Sequence, residues 1–202
     1  MNKINNQKKI YLIFLIFFSN YLFYQSNNIL FRTKYKNKIK NVGIIGFPSD
    51  SNIGNNLVKY SMYMFLKRQG LNPTLIVMKS HINKIFLNKY LNIEEIIDYN
   101  QIKEDKYDLL LADSDQLWNY KFKYILKIGF LSFAKNWTIP KFVYAASLGH
   151  DIWNVSQNVL NSARVLVKKL SGISVREYNS VKLIENYLGV KPYLVLDPTF
   201  LI

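Results

Sequence analysis

Short apolar runs alternate along the chain with segments of helical periodicity. Each run is four to six residues long, as expected for strands buried on both faces. The runs cover residues 42–47, 74–78, 107–112, 141–146, 172–175 and 193–196. The segments of helical spacing between them are 58–69 (ended by Gly70), 82–90, 156–170 and 177–188. This alternation predicts an α/β fold with a Rossmann-like, mostly parallel sheet and crossover helices.

Polar clusters follow most of these predicted strands. In a parallel sheet, ligands bind beyond the carboxyl ends of the strands. The sequence therefore predicts a binding site at that edge, although polar loops also follow buried strands in α/β domains that have no site there.

The polar loop that ends at Asn56 leads into the first predicted helix. Gly54 permits a tight turn, and the first helical amides can receive a carboxylate or a phosphate. Plain helix capping by Asn52 explains the same residues. Both interpretations stay open from the sequence.

The segment 113–119 combines hydroxyl, carboxylate, amide and indole groups at a strand end. That mixture suits a polyhydroxylated ligand, with Trp118 stacking on the apolar face of a sugar. The alternative is a capped turn with Trp118 in the core.

Two further side chains are candidates for chemistry. Arg176 can bind a carboxylate or phosphate through its forked guanidinium, or hold Glu177 or Asp197 structurally. His150 can act as an acid or base, although a lone loop histidine is more often simply exposed. His81 is interpreted as a residue at a helix start.

The N-terminal forty residues have a different composition. Three lysines precede an apolar run at 10–18, and further apolar residues extend to Phe31. Because no small-residue cleavage site follows, we predict an uncleaved signal anchor and basic linker over 1–40, and a domain over 41–202. The protein would then be a single-pass membrane protein. Positive charges after the run favour a cytoplasmic domain, whereas sequons at Asn136 and Asn154 are compatible with an ER or Golgi lumen in a eukaryote.

The charge and residue counts exclude several classes of protein. Lys and Arg number 27 against 13 Asp and Glu, but eight of the positive charges lie at or before Lys40, which leaves +6 for residues 41–202. Since basic and aromatic residues do not interleave, nucleic-acid binding is not expected. The absence of cysteine and the presence of only two histidines argue against a metal site. No dinucleotide fingerprint, P-loop or nucleophile elbow is present.

Taken in order, five motifs resemble the polysaccharide pyruvyl transferase family. They are Asn52-Ile-Gly54 with its helix, Ser114-Asp-Gln-Leu-Trp-Asn119, Tyr144-Ala-Ala-Ser-Leu-Gly149, Ile173-Ser-Val-Arg-Glu177 and Val195-Leu-Asp-Pro-Thr199. The resemblance implies the N-terminal lobe of a GT-B-like fold. It also implies transfer of pyruvate from phosphoenolpyruvate, as a ketal, to paired hydroxyls of a glycan, without a cofactor or metal.

On this resemblance, seven residues are expected to bind substrate: Asn52, Gly54, Ser114, Asp115, Gln116, Ser147 and Arg176. No catalytic acid or base is assigned within the chain. Two positions depart from the family pattern, because Asn55 stands where an acid is frequent and Asp113 where glycine is usual. Asp113 adds negative charge close to an anionic donor.

The family pattern continues past the Asp-Pro-Thr turn into a second lobe, to which the resemblance assigns a catalytic histidine and donor-binding arginines. We therefore expect these 202 residues to supply one lobe and not to complete the reaction alone. The alternative function is a non-catalytic, membrane-tethered glycan-binding or scaffold protein that lacks the second lobe.

Overall fold

The computed structural model describes residues 39–46, 52–78, 89–122 and 124–202, without the side chains of Ser114 and Asp115. The described strands are β1 Asn41–Gly46, β2 Asn72–Met78, β3 Ile93–Ile96, β4 Leu109–Asp115, β5 Lys141–Ala146, β6 Gly172–Val175 and β7 Tyr193–Leu194. The described helices are α1 Ile53–Arg68, α2 Ile125–Ile128, α3 Gln157–Val167 and α4 Tyr178–Leu188.

All seven strands form one parallel sheet in the order β3-β2-β1-β4-β5-β6-β7. The chain starts in the middle of the sheet, builds outward to β3, and then returns to add β4 through β7 on the other side. The strand order therefore reverses between β1 and β4, and a crevice opens outside the carboxyl ends at such a point. The predicted α/β fold with a parallel sheet is confirmed.

Two apolar clusters cover the two faces of the sheet. Ile44 and Leu111 face the cluster that contains Met62 and Leu66 of α1. The opposite face, which includes Val143 and other strand residues, packs with residues of α3 and α4. The sheet is thus buried on both sides, as its continuous apolar strands predict.

The strand β7 is shorter than predicted, since it spans Tyr193–Leu194 and not 193–196. Two other strand predictions fail for identifiable reasons. β3 was not predicted, because Glu94 and Glu95 interrupt its apolar pattern at the edge of the sheet. β4 continues past Ala112 to Asp115, since Asp113 pairs with Tyr144 and Asp115 with Ala146 on β5. Ladder hydrogen bonds therefore extend the strand into residues that read as a polar loop.

Several predictions fall on residues that the structure does not describe. The anchor lies outside the described residues, as does most of the predicted helix over 82–90. In the ranges that are described, no helix has the length and apolar character needed to span a bilayer. The division at residue 40 stays a prediction. At that point the amides of Lys40 and Asn41 donate to Oδ2 of Asp108, at 2.9 and 2.8 Å.

Candidate functional site

The predicted site residues follow strands β1, β4, β5 and β6. They lie where the carboxyl ends of the strands meet, which we call the carboxyl edge of the sheet. Asn52 precedes α1, Gln116 follows β4, Ser147 follows β5 and Arg176 follows β6. Neighbouring strands are about 4.8 Å apart, so these positions line an edge about 15 Å long. The backbone of Ser114 and Asp115 ends β4 at the same edge.

Asn52 acts as the N-cap of α1. Its Oδ1 accepts hydrogen bonds from the amides of Gly54 (2.8 Å) and Asn55 (3.3 Å). The structure thus shows the capping arrangement, in which two of the first helical amides already donate to the side chain of Asn52. An anion at this helix end would have to displace Asn52.

Gln116 and Gly149 pack closely against each other at this edge. Oε1 of Gln116 accepts a hydrogen bond from Nδ2 of the buried Asn119 at 2.7 Å. Gly149 has a φ of +69°, and a Cβ at this position would approach Nδ2 of Asn119 to 2.8 Å and Gln116 to 3.0 Å. Glycine is therefore required both by the left-handed backbone and by the amide pair that it covers.

Ser147 connects the loops that follow β4 and β5. Its carbonyl accepts a hydrogen bond from the amide of Trp118 at 3.1 Å, and its Oγ accepts one from the amide of Gly149 at 3.0 Å. The side chain is almost fully buried. Ser147 thus fixes the conformation of the edge, and a ligand would meet its loop more directly than its hydroxyl.

Arg176 lies between two carboxylates. Its Nη1 donates to Oδ2 of Asp197 at 2.7 Å, and its Nε donates to Oε1 of Glu177 at 3.0 Å. Of the two roles that the sequence allows, the structure shows the structural one. The two carboxylates offset the guanidinium charge, so Arg176 is a weaker attractor of anions than an isolated arginine would be.

Trp118 lies in the core. Of the two sequence interpretations, the core position is confirmed and the stacking of Trp118 on a sugar is wrong. Its indole is fully buried, stacks on Phe130 with the ring centroids 4.6 Å apart, and donates from Nε1 to the carbonyl of Gly129 at 2.8 Å. The flat aromatic surface is used inside the protein.

His150 is half-buried at the end of the same loop and is not simply exposed. Its ring lies 5.0 Å from that of Tyr120, and its Nε2 is buried with no hydrogen-bond partner in the described part of the chain. His81 lies outside the described residues.

Sequence reasoning missed the burial of Lys59, which lies with other buried polar residues beside the point where the strand order reverses between β1 and β4. Lys59 of α1 is only 2% exposed, and its Cε would lie 2.9 Å from a Cβ placed on Gly46. Gly46 pairs in register with Asp113, which is 1% exposed, and Asp113 pairs with Tyr144. Burial, together with the charges of Asp113 and Asp197, raises the pKa of Tyr144. The helical spacing of Lys59 with Met62 was the available signal for its burial.

Unrelated families share this sheet topology, so the fold alone does not show to which family the chain belongs. The family model for polysaccharide pyruvyl transferase matches residues 52–202. The chain belongs to the polysaccharide pyruvyl transferase family. The match includes every predicted site residue of this pyruvyl transferase family member, from Asn52 to Arg176, so the suggested resemblance is confirmed.

Two solved structures illustrate how the fold compares with others. They are Arabidopsis thaliana UGT89C1 complexed with quercetin and the same protein complexed with UDP-L-rhamnose. Each is 10% identical, with a TM-score of 0.46 over 80% of this chain. The match covers 51% and 49% of those chains, so this family member spans about half their length. No curated protein matches the chain.

Proposed function

We propose that this chain is the acceptor-binding lobe of a pyruvyl transferase that moves pyruvate from phosphoenolpyruvate to a glycan. The observation that carries the proposal is the clustering of Gln116, Ser147 and Arg176 at the carboxyl edge, beside the point where the strand order reverses, in a member of this family. We propose that a second lobe faces this edge in a GT-B-like arrangement.

The proposed reaction is redox-neutral. Two acceptor hydroxyls form C–O bonds to the enol carbon of phosphoenolpyruvate, and the bond from that carbon to the phosphate oxygen breaks. One hydroxyl proton ends on the vinyl carbon, which becomes a methyl group, and the other leaves with the phosphate. A group that donates the proton to carbon is required, and none is assigned within the described residues.

The charge at the carboxyl edge supports an acceptor role more than a donor role. Arg176 is bound by Glu177 and Asp197, so its positive charge is already offset at this edge. Phosphoenolpyruvate carries both a phosphate and a carboxylate, which need an excess of cations. A neutral glycan instead needs hydroxyl, amide and carboxylate partners. We therefore assign the glycan to this edge and the donor to groups outside it.

Tyr178 supplies an aromatic surface where Trp118 does not. It is the first residue of α4, directly after the Arg176–Glu177 pair, and it is 67% exposed. The ammonium of Lys182 lies 5.0 Å from the ring centroid. Beside it, Asn179 donates to Oδ1 of Asp151 at 2.7 Å, which links α4 to the loop after β5. We propose that the ring packs on the apolar face of an acceptor pyranose.

A phosphoenolpyruvate-dependent assay tests the proposed reaction. The full-length gene product is incubated with phosphoenolpyruvate and oligosaccharides that carry free pairs of neighbouring hydroxyls. We expect acceptor-dependent phosphate release and an acid-labile ketal on the glycan. Glycan binding without phosphate release would support the non-catalytic alternative. The ion pairs of Arg176 with Glu177 and Asp197 also favour that alternative, because they leave less of its charge for an anionic donor. Neither binding nor release across several glycan classes would contradict both.

We also propose that residues 1–40 tether this lobe to a membrane, as their apolar run suggests. Alkaline carbonate extraction of membranes tests this directly. The full chain is expected to stay in the pellet, and a variant that begins at Asn41 is expected in the supernatant. Release of the full chain by carbonate would contradict tethering.

A further inference from the structure

Strand β5, an internal strand of the sheet, contains a residue in an unfavourable backbone conformation. Ala145 has a φ of +50°, in the left-handed region that alanine rarely adopts, and it is fully buried. Between β5 and β6 the register advances from Val143↔Ile173 to Ala146↔Val175, so β5 has one residue more than its partner. This is a β-bulge in a strand that pairs on both sides.

The bulge changes the side of the sheet to which the end of β5 contributes. Tyr144 and Ala145, although consecutive, both pack in the cluster on the α1 face. Val143 and Ala146 pack in the cluster on the opposite face. Alternation is thus broken once, and every residue after Ala145 is shifted by one position relative to a regular strand.

Ser174 of β6 holds the bulge through two hydrogen bonds. Its Oγ accepts from the amide of Ala145 at 3.0 Å and donates to the carbonyl of Val143 at 3.3 Å. The side chain is completely buried. The hydroxyl therefore substitutes for ladder hydrogen bonds to β6 that the extra residue displaces.

The residues just after the bulge connect three loops of the candidate site. The carbonyl of Ala146 accepts from the amide of Arg176 at 3.4 Å, and the carbonyl of Ser147 accepts from the amide of Trp118 at 3.1 Å. Oγ of Ser147 accepts from the amide of Gly149. A change at Ala145 is thus transmitted to the turn after β4, the loop after β5 and the end of β6.

We propose that Ser174 is a positioning residue that stabilises the strained bulge at Ala145 and thereby sets the geometry of the substrate-binding edge. Strain of this kind persists only where the surroundings determine it, and bulges frequently redirect strand ends beside functional sites. The claim that this edge binds the acceptor rests on the proposed function. The claim that Ser174 controls the conformation of the edge is independent of that function.

Hydrogen exchange and kinetics on Ser174→Ala test the proposal. We expect the amides of residues 145–149 to exchange about tenfold faster, the factor that corresponds to one typical net hydrogen bond. Exchange in β1 and β2 should not change. In the full-length enzyme the KM for the acceptor should rise by a similar factor while kcat stays close to wild type. Unchanged exchange over residues 145–149 would overturn the proposal.

Two further variants separate positioning from simple loss of stability. Ser61→Ala is the matched control, because Ser61 is equally buried and its hydroxyl donates to the carbonyl of Leu57 within α1. It should leave exchange at 145–149 unchanged. Ala145→Gly, which tolerates a positive φ, should partly rescue Ser174→Ala in both measurements.

Failure of that rescue, or the same loosening at 145–149 in Ser61→Ala, would contradict the positioning role. If Ser174→Ala does not fold, Ala145→Val is used instead. A β-branched residue at positive φ should loosen the same amides, and no loosening would overturn the proposal. A wild-type protein without pyruvylation activity would remove the proposed function but leave the exchange prediction intact.

Discussion

Arg176 and Asp197 join the carboxyl ends of β6 and β7 through an ion pair with 2.7 Å between Nη1 and Oδ2. Asp197 also caps the turn that starts at Pro198, because its Oδ1 accepts from the amide and the hydroxyl of Thr199 at 3.0 and 2.8 Å. One carboxylate thus anchors both the edge of the sheet and the turn that packs on α1.

This arrangement predicts an acid-sensitive contribution to stability. Burial raises the pKa of Asp197, but hydrogen bonds from Thr199 and the charge of Arg176 outweigh it, so the pKa lies below its usual 3.8. The stabilisation is complete above the unfolded-state pKa and is lost as the pH falls through the lower folded-state pKa. Asp197→Asn should cost about 1.5–3 kcal/mol at pH 7.

Urea unfolding at pH 7 and at about pH 3 measures this effect. The free energy of unfolding should fall less with acid in Asp197→Asn than in the wild type. Asp105→Asn, at an exposed carboxylate on a surface turn, is the control and should behave as the wild type. An equal acid response in Asp197→Asn and wild type would contradict this prediction.

The exposed ring of Tyr178 predicts a loss of acceptor affinity on truncation. Tyr178→Ala should weaken glycan binding about tenfold, in line with about 1–1.5 kcal/mol for one aromatic contact, and Tyr178→Phe should retain most of it. Isothermal titration with an acceptor glycan measures both. Tyr90→Ala is the matched control, because Tyr90 is also exposed but lies shortly before β3, far from the carboxyl end of β6. Equal losses at both tyrosines would refute the assignment.

Substitution of Trp118 is expected to lower stability and to leave glycan affinity unchanged, the opposite of what is expected at Tyr178. Trp118→Ala should destabilise the fold by about 3–5 kcal/mol, because it removes a buried ring that stacks on Phe130. Trp118→Phe keeps an aromatic ring but loses the hydrogen bond to Gly129, so a smaller loss is expected. Thermal unfolding measures stability, and glycan affinity should not change in Trp118→Phe. Weaker glycan binding by a fully folded Trp118→Phe would show that the indole meets the sugar.

The buried charges beside the crevice predict an energetic coupling. Lys59 of α1 packs against Gly46, and Asp113 pairs in register with Gly46 on the neighbouring strand. If they compensate each other, Lys59→Met should cost about 3–5 kcal/mol, because it leaves a buried carboxylate without its counter-charge. The double variant with Asp113→Asn should cost less than the sum of the single changes.

A double-mutant cycle by urea unfolding measures this coupling. The exposed Lys103→Met is the control for removal of a positive charge and should be close to neutral. Additive effects of the changes at Lys59 and Asp113 would show that they do not compensate each other. Coupling would explain how a buried carboxylate is accommodated at Asp113.

Local sequence determined some elements more completely than others. β5 and β6 were predicted to the residue, because Pro140 limits the first and Gly172 begins the second. The N-cap at Asn52 follows from residue chemistry that acts within one turn. In each case the deciding interactions lie within a few residues.

The remaining features depend on residues that are distant in sequence. The bulge at Ala145 leaves no trace in the uninterrupted apolar run of β5, because Ser174 supports it from the next strand. Trp118 is placed in the core by Gly129 and Phe130. Whether Arg176 binds a ligand or Asp197 likewise depends on how β7 docks.

An amide NMR titration of the isotope-labelled protein with methyl pyranosides that carry free neighbouring hydroxyls tests the acceptor site most directly. The predicted result is a saturable shift of the amide signals of Gln116, Gly149 and Tyr178 at the carboxyl edge. The signals of Asp108 and Ser171 at the opposite edge should not move. Saturable shifts confined to that opposite edge would contradict the assignment. So would the absence of shifts with a glycan that proves to be pyruvylated in the phosphoenolpyruvate-dependent assay.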